Sequence, residues 1–117
     1  MTTLGFKRED IKDTFHEVLD YTVEGWSDSH VLLQMVVKPE HRNLGGSVHG
    51  GVLSSLVDIA GFMGGSWTPN GHSRSVTINL NTSFIAGTNA DVITAEGKRT
   101  HATKNTLFSK VWIREKD

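Results

Sequence analysis

Apolar and polar positions alternate along this chain with different rhythms, and each rhythm predicts its own kind of element. The clearest lies over residues 75–84, where Val76, Ile78, Leu80 and Phe84 alternate with Ser75, Thr77, Asn79, Asn81 and Ser83. That period of two predicts a strand with one dry and one polar face. Residues 16–24 and 29–38 are rich in Val, Leu and Tyr and flank Gly25-Trp26-Ser27-Asp28, which predicts an antiparallel hairpin ended by Pro39. In its second strand Val31, Leu33, Met35 and Val37 share one face and Leu32 and Val36 the other, predicting burial on both sides. Residues 91–100 and 106–114 predict a second hairpin around residues 101–105. Residues 7–13, with Phe6 and Ile11 as their only large apolar neighbours, predict a short surface helix serving as a lid or packing arm.

Between these strands the rhythm changes. Residues 41–67, HRNLGGSVHGGVLSSLVDIAGFMGGSW, read as a glycine-rich loop running into a helix apolar on nearly every side, and such a helix is normally buried. Asp58 lies inside that run, where a buried carboxylate needs a reason. Thr68-Pro69-Asn70-Gly71 is a turn sequence, proline presetting one torsion and glycine accepting a positive one. The order is strand, strand, long helix, then three strands. A single apolar helix must be covered, and five mostly antiparallel strands are the material available. The prediction is one α+β domain over residues 1–117, a curved antiparallel sheet wrapped around a central helix.

Composition narrows the partners. At 117 residues the chain is small to enclose a substrate alone, so association is expected. Twelve Lys and Arg against thirteen Asp and Glu leave a formal charge of -1, with no overall field for nucleic acid or an anionic membrane. Absence of cysteine excludes disulfides and thiol catalysis. The first residues are charged where a signal peptide needs an apolar core, and no apolar run approaches the roughly 20 residues of a membrane span. A cytoplasmic protein binding neither nucleic acid nor membrane is expected. None of the six histidines falls in a His-x-x-x-His or His-Glu-x-x-His arrangement, so no metal is expected, and no Gly-x-Ser-x-Gly elbow marks a serine hydrolase. The scattered Trp26, Trp67 and Trp112 read as packing residues.

The candidate chemistry sits at the glycine loop and in the helix. Gly45-Gly46 and Gly50-Gly51 bracket His49 just before the apolar run, and the first turn of a helix has unpaired N–H groups with partial positive charge. Such an end can hold a phosphate or an oxyanion, or the glycines simply make a tight turn. The Lys-Ser/Thr of a phosphate loop is missing. Asp58 has Ser54, Ser55, Gly61 and Phe62 as helical neighbours, a small, partly polar stripe in which it is either a reacting group or a carboxylate satisfied by serines or an arginine. Eight residues of helix separate Gly50 from Asp58, a rise of about 12 Å, whereas reacting atoms lie about 3 to 3.5 Å apart. If both belong to one site, a second subunit with an antiparallel helix brings its Asp58 to this loop, as a two-fold dimer would.

Asn43-Leu44-Gly45-Gly46-Ser47-Val48-His49-Gly50-Gly51, followed by Leu56-Val57-Asp58, resembles the motif of the hotdog-fold acyl-CoA thioesterases, most closely the PaaI-type (phenylacetate pathway) branch. The resemblance covers roughly residues 15–115. It implies a hotdog fold, a five- to six-stranded sheet around one long helix, acting on an acyl-CoA with no cofactor beyond the coenzyme A of the substrate. It implies that the Gly50 N–H polarises the thioester oxygen, and that Asp58 of the partner subunit acts as general base or nucleophile. Asn43 would bond the thioester region or the attacking water, and His49 would shape the loop and contact substrate. Thr77 is the nearest match to a hydroxyl that assists the water, although it lies on the polar face of its strand, opposite the residues expected to pack on the helix. Lys98, Arg99, Lys104, Arg42 and Arg74 are either a solvated rim or partners for coenzyme A phosphates. The implied assembly is a homodimer pairing into a tetramer. Relatives usually continue past the position of Asp117 into another strand, so either the sheet is one strand short or the chain is incomplete. The alternative function on this fold is a non-catalytic acyl-CoA-binding or regulatory module. A hotdog hydratase is disfavoured, since no histidine follows Asp58 until His72.

Overall fold

The computed structural model describes residues 8–116. Two short helical turns come first. Residues Arg8–Ile11 form a 3-10 turn, and α1 (Phe15–Leu19) is closed by Asp20, whose left-handed backbone (φ 53°) lets its N–H reach the His16 carbonyl. The strand predicted over 16–24 therefore starts only at Tyr21. Five residues are too few to display a helical period, and Leu19 is the one side chain of α1 that is buried. Phe6 and Lys7, invoked for the surface helix, lie outside the described residues.

Strands β1 (Tyr21–Ser27) and β2 (His30–Val36) form the expected hairpin, with its turn at Asp28-Ser29 rather than over residues 25–28. Gly25 and Trp26 belong to β1, past a register shift at Glu24. Trp26 points inward, and its indole N–H donates to the Met63 carbonyl at 2.6 Å, fastening the hairpin to the central helix. β2 pairs with β5 (Val92–Ala102), which pairs with β6 (Leu107–Glu115), all antiparallel, in the order β1-β2-β5-β6. Helix α2 (Gly50–Ser66) packs Leu53, Leu56, Ala60 and Met63 against Val31, Leu33, Met35, Ile93 and Ala95. At its closest, α2 touches the sheet backbone to backbone: a Cβ added to Gly97 would lie 2.3 Å from the Ala60 carbonyl oxygen. Only glycine permits that approach. The predicted turn after α2 is clipped by two-residue strands β3 (Trp67–Thr68) and β4 (Gly71–His72).

The predicted third strand is where pattern and structure part. Residues 73–91 carry no ladder among the described residues, so the main sheet has four strands, not five or six. A strand needs a second backbone about 4.8 Å away. This segment instead runs back along α2, held by Thr77 against Asp58 and by Phe84 against Gly50. Its orientation is also opposite to expectation. The polar Thr77 faces the helix because Asp58 offers its hydroxyl an acceptor, while Val76 and Ile78 stand 88% and 82% exposed. No described helix is long and apolar enough to cross a membrane.

Candidate active site

The glycine loop is built by three consecutive side chains. His41 is buried: its Nδ1 accepts from the Lys38 N–H at 3.0 Å and its Nε2 donates to the Val18 carbonyl at 2.7 Å, tying the loop entrance to α1. Arg42 donates through Nη1 to the carbonyls of Gly46 (3.0 Å) and Asn89 (3.2 Å) and through Nη2 to Ala90 and Asp91 (both 3.3 Å). Asn43 accepts at Oδ1 from the N–H groups of Gly45 (2.9 Å) and Ser47 (3.1 Å), which folds the loop around its own side chain. Gly46 turns through φ 91° at the tip. Four residues of this loop and His49 line a groove of about 600 Å³, namely Arg42, Asn43, Leu44 and Gly45 with the histidine.

His49 is the N-cap of α2, its Nδ1 accepting from the Gly51 N–H at 2.8 Å. An acceptor Nδ1 leaves the proton of a neutral ring on Nε2, facing away from the helix. A Cβ on Gly51 would sit 2.9 Å from that Nδ1, so the second glycine of His-Gly-Gly is required by the cap. Gly50 is the first helical residue, and among the described hydrogen bonds none takes its N–H. A donor at a helix start with the dipole behind it is suited to an oxygen that gains negative charge.

Asp58 lies on the side of α2 turned away from the sheet and is partly exposed, not buried as the apolar run implied. One-turn spacing of Leu53, Leu56, Ala60 and Met63 directs those residues to the sheet and leaves position 58 outward. The Thr77 hydroxyl donates to Asp58 Oδ1 at 2.5 Å. Neighbouring Ser55 spends its hydroxyl on the Gly51 carbonyl at 2.7 Å instead. His16 of α1 also belongs to this group. Burial pushes its pKa down, the Asp58 charge pulls it back up, and its Nδ1 lies 2.7 Å from the Tyr21 hydroxyl. Burial drives the Tyr21 pKa well up, so that phenol stays protonated. Sequence reasoning missed His16, His41 and the Arg42 clamp, whose partners are remote in the chain and carry no local pattern.

Of the residues singled out from sequence, Asn43, His49 and Gly50 come together at the loop, and Asp58 meets Thr77 about 12 Å along the helix. Of the rim cations, Arg99 reaches the Gly65 carbonyl and Asp28, while Lys98 stands 5.9 Å from the ring of the partly exposed Trp112, a ring that Arg114, not among those cations, also approaches to 5.9 Å.

The sequence profile of the thioesterase superfamily matches residues 45–117, more than half of the chain and the part that holds His49, α2 and Thr77 but not Asn43. The chain belongs to the thioesterase superfamily. Its architecture is the hotdog fold, shared with thioesterase HI1161 from Haemophilus influenzae (18% identity, 98% of this chain and 80% of that one, TM-score 0.82). A hypothetical thioesterase from Streptococcus pneumoniae, solved with coenzyme A, aligns at 25% identity over 81% of this chain and 75% of its own, TM-score 0.71. PaaI of the Escherichia coli phenylacetic acid degradation operon aligns at 22% identity over 84% and 73%, TM-score 0.72. No curated protein sequence matches the chain. In this thioesterase-superfamily chain the uncommitted Gly50 N–H and the Asp58–Thr77 pair are thus the groups whose chemistry suits a thioester: one donor for a carbonyl oxygen, one oriented carboxylate.

Proposed function

We propose that the chain is an acyl-CoA thioesterase of the PaaI-type branch, working as a homodimer with two identical composite sites. The observation that carries the reading is the bonded Asp58–Thr77 pair on the outward side of α2, in a chain whose Gly50 N–H is unspent. Water attacks the thioester carbonyl carbon while Asp58 of the partner protomer takes its proton, or Asp58 itself attacks to give an anhydride that water then opens. The carbonyl oxygen gathers charge against the Gly50 N–H. Collapse of the tetrahedral species breaks the C–S bond, and the departing thiolate takes up a proton, giving free acid and coenzyme A. Asn43, with Oδ1 occupied by the loop, presents its amide N–H₂ group, and His49 presents Nε2–H beside the groove.

Two features support the dimer. The rise of about 12 Å between Gly50 and Asp58 keeps one chain from using both at one carbonyl. The exposed Val76 and Ile78 on an unladdered segment are the kind of surface that a second copy covers by strand pairing. Pairing of such dimers into a tetramer is part of the same proposal.

The test is thiol release from a panel of aromatic, straight-chain and hydroxylated acyl-CoAs. The wild type should release coenzyme A, and Asp58→Asn should lose about 10²- to 10⁴-fold in kcat with fold and assembly intact. Equal turnover by the variant sinks the assignment, and binding without thiol release favours the non-catalytic acyl-CoA-binding module.

A further inference from the structure

We infer that Phe84 is a specificity-determining residue, the wall against which the acyl carbons next to the thioester carbonyl pack. The inference rests on the thioesterase reading and adds to it the direction in which the substrate lies. The ring of Phe84 stands directly over Gly50: its Cε1 and Cζ lie 3.4 and 3.6 Å from the point a Cβ on Gly50 would occupy. A glycine there leaves the ring facing bare backbone beside the unspent N–H. The ring is nonetheless 57% exposed, so much of its apolar surface is available to a ligand held at that N–H.

A thioester whose oxygen meets Gly50 has two unlike arms. The coenzyme A arm is long, polar and anionic, and on the loop side the groove lined by Arg42, Asn43, Leu44, Gly45 and His49 offers it two polar groups, the Asn43 amide N–H₂ and the His49 Nε2–H. Phe84 offers the apolar surface at the same glycine, and matching polarity to polarity directs the acyl arm to the ring. Donor and wall come from one protomer, so the geometry between them is fixed within the chain. A ring this close to the carbonyl admits a slim methylene chain and crowds an acyl group that is broad at its first carbons.

The experiment compares kcat/KM for benzoyl-CoA and butyryl-CoA in the wild type, Phe84→Leu and Phe84→Ala, with the assembly of each variant measured alongside. The benzoyl-to-butyryl ratio should rise at least about fivefold in Phe84→Ala, with Phe84→Leu between the two, a change of roughly 1 kcal/mol in discrimination. A ratio within about twofold of wild type, whether or not the assembly or the overall rate changes, overturns the inference and leaves the thioesterase reading standing. Wild-type protein that hydrolyses no acyl-CoA overturns both.

Discussion

Asp58 owes its orientation to one hydroxyl. Thr77→Val removes the 2.5 Å bond while keeping the shape of the side chain, and a bond to a charged acceptor is worth about 1.5–3 kcal/mol. Under the proposed mechanism, Thr77→Val lowers kcat about tenfold with KM little changed, while Thr77→Ser stays near wild type; steady-state kinetics on one good acyl-CoA decides. At the loop, Gly51→Ala drives a methyl into His49 Nδ1 and should cost about 1 kcal/mol of stability through the lost cap, read from a urea midpoint. These positions were legible beforehand because their spacing is local: Asn43, His49 and Gly50 lie in one loop, and Asp58 lies on the helix it opens. Thr77 was legible only as a candidate, and its face was misjudged. A period of two says which side chains share a face, not which face a neighbour takes. His41 and His16 depend on partners from α1 and β1 and left no trace in the pattern.

Helix α2 and the sheet meet where two backbones touch. Gly97→Ala would set a methyl against the Ala60 carbonyl, which neither element can yield without separating, and should cost about 1–3 kcal/mol. Gly87→Ala, with nothing within 4 Å of the added carbon, is the control whose urea midpoint should not fall. The elements themselves were largely readable: α2 from its glycine-led apolar run, and β2, β5 and β6 from β-branched residues to within a few residues at each end. Helix α1 was read as strand because Val18, Leu19 and Tyr21 fit either element over so short a stretch. Residues 75–84 were read as a strand of the sheet and carry no ladder, since a ladder depends on a neighbouring backbone that sequence alternation does not specify.

At the scale of the whole molecule, pH and assembly are the levers. The His16 pKa lies below its ordinary 6.5, so the folded chain binds that proton less readily than the unfolded chain. The contribution is complete above pH 6.5 and is lost as pH falls toward the lowered value. His16→Gln should therefore show a smaller drop in urea midpoint between pH 7.5 and 5.5 than the wild type, a window above that of a carboxylate, whose effect has the same sign but is confined to more acid solution. Glu96, held low by its bonds to His30 and Arg114, acts only there, as pH falls below 4.5. For assembly, Ile78→Lys places a charge on the exposed apolar edge and should give monomers without activity, by sedimentation and by thiol release. The most direct measurement mixes two dead proteins. Asp58→Asn keeps the loop, and Gly50→Pro removes the donor N–H at a first helical position, where proline is tolerated. With each inactive alone, random subunit exchange should restore about a quarter of wild-type activity, one working site in half of the dimers. No recovery after demonstrated exchange would contradict a site shared between two chains.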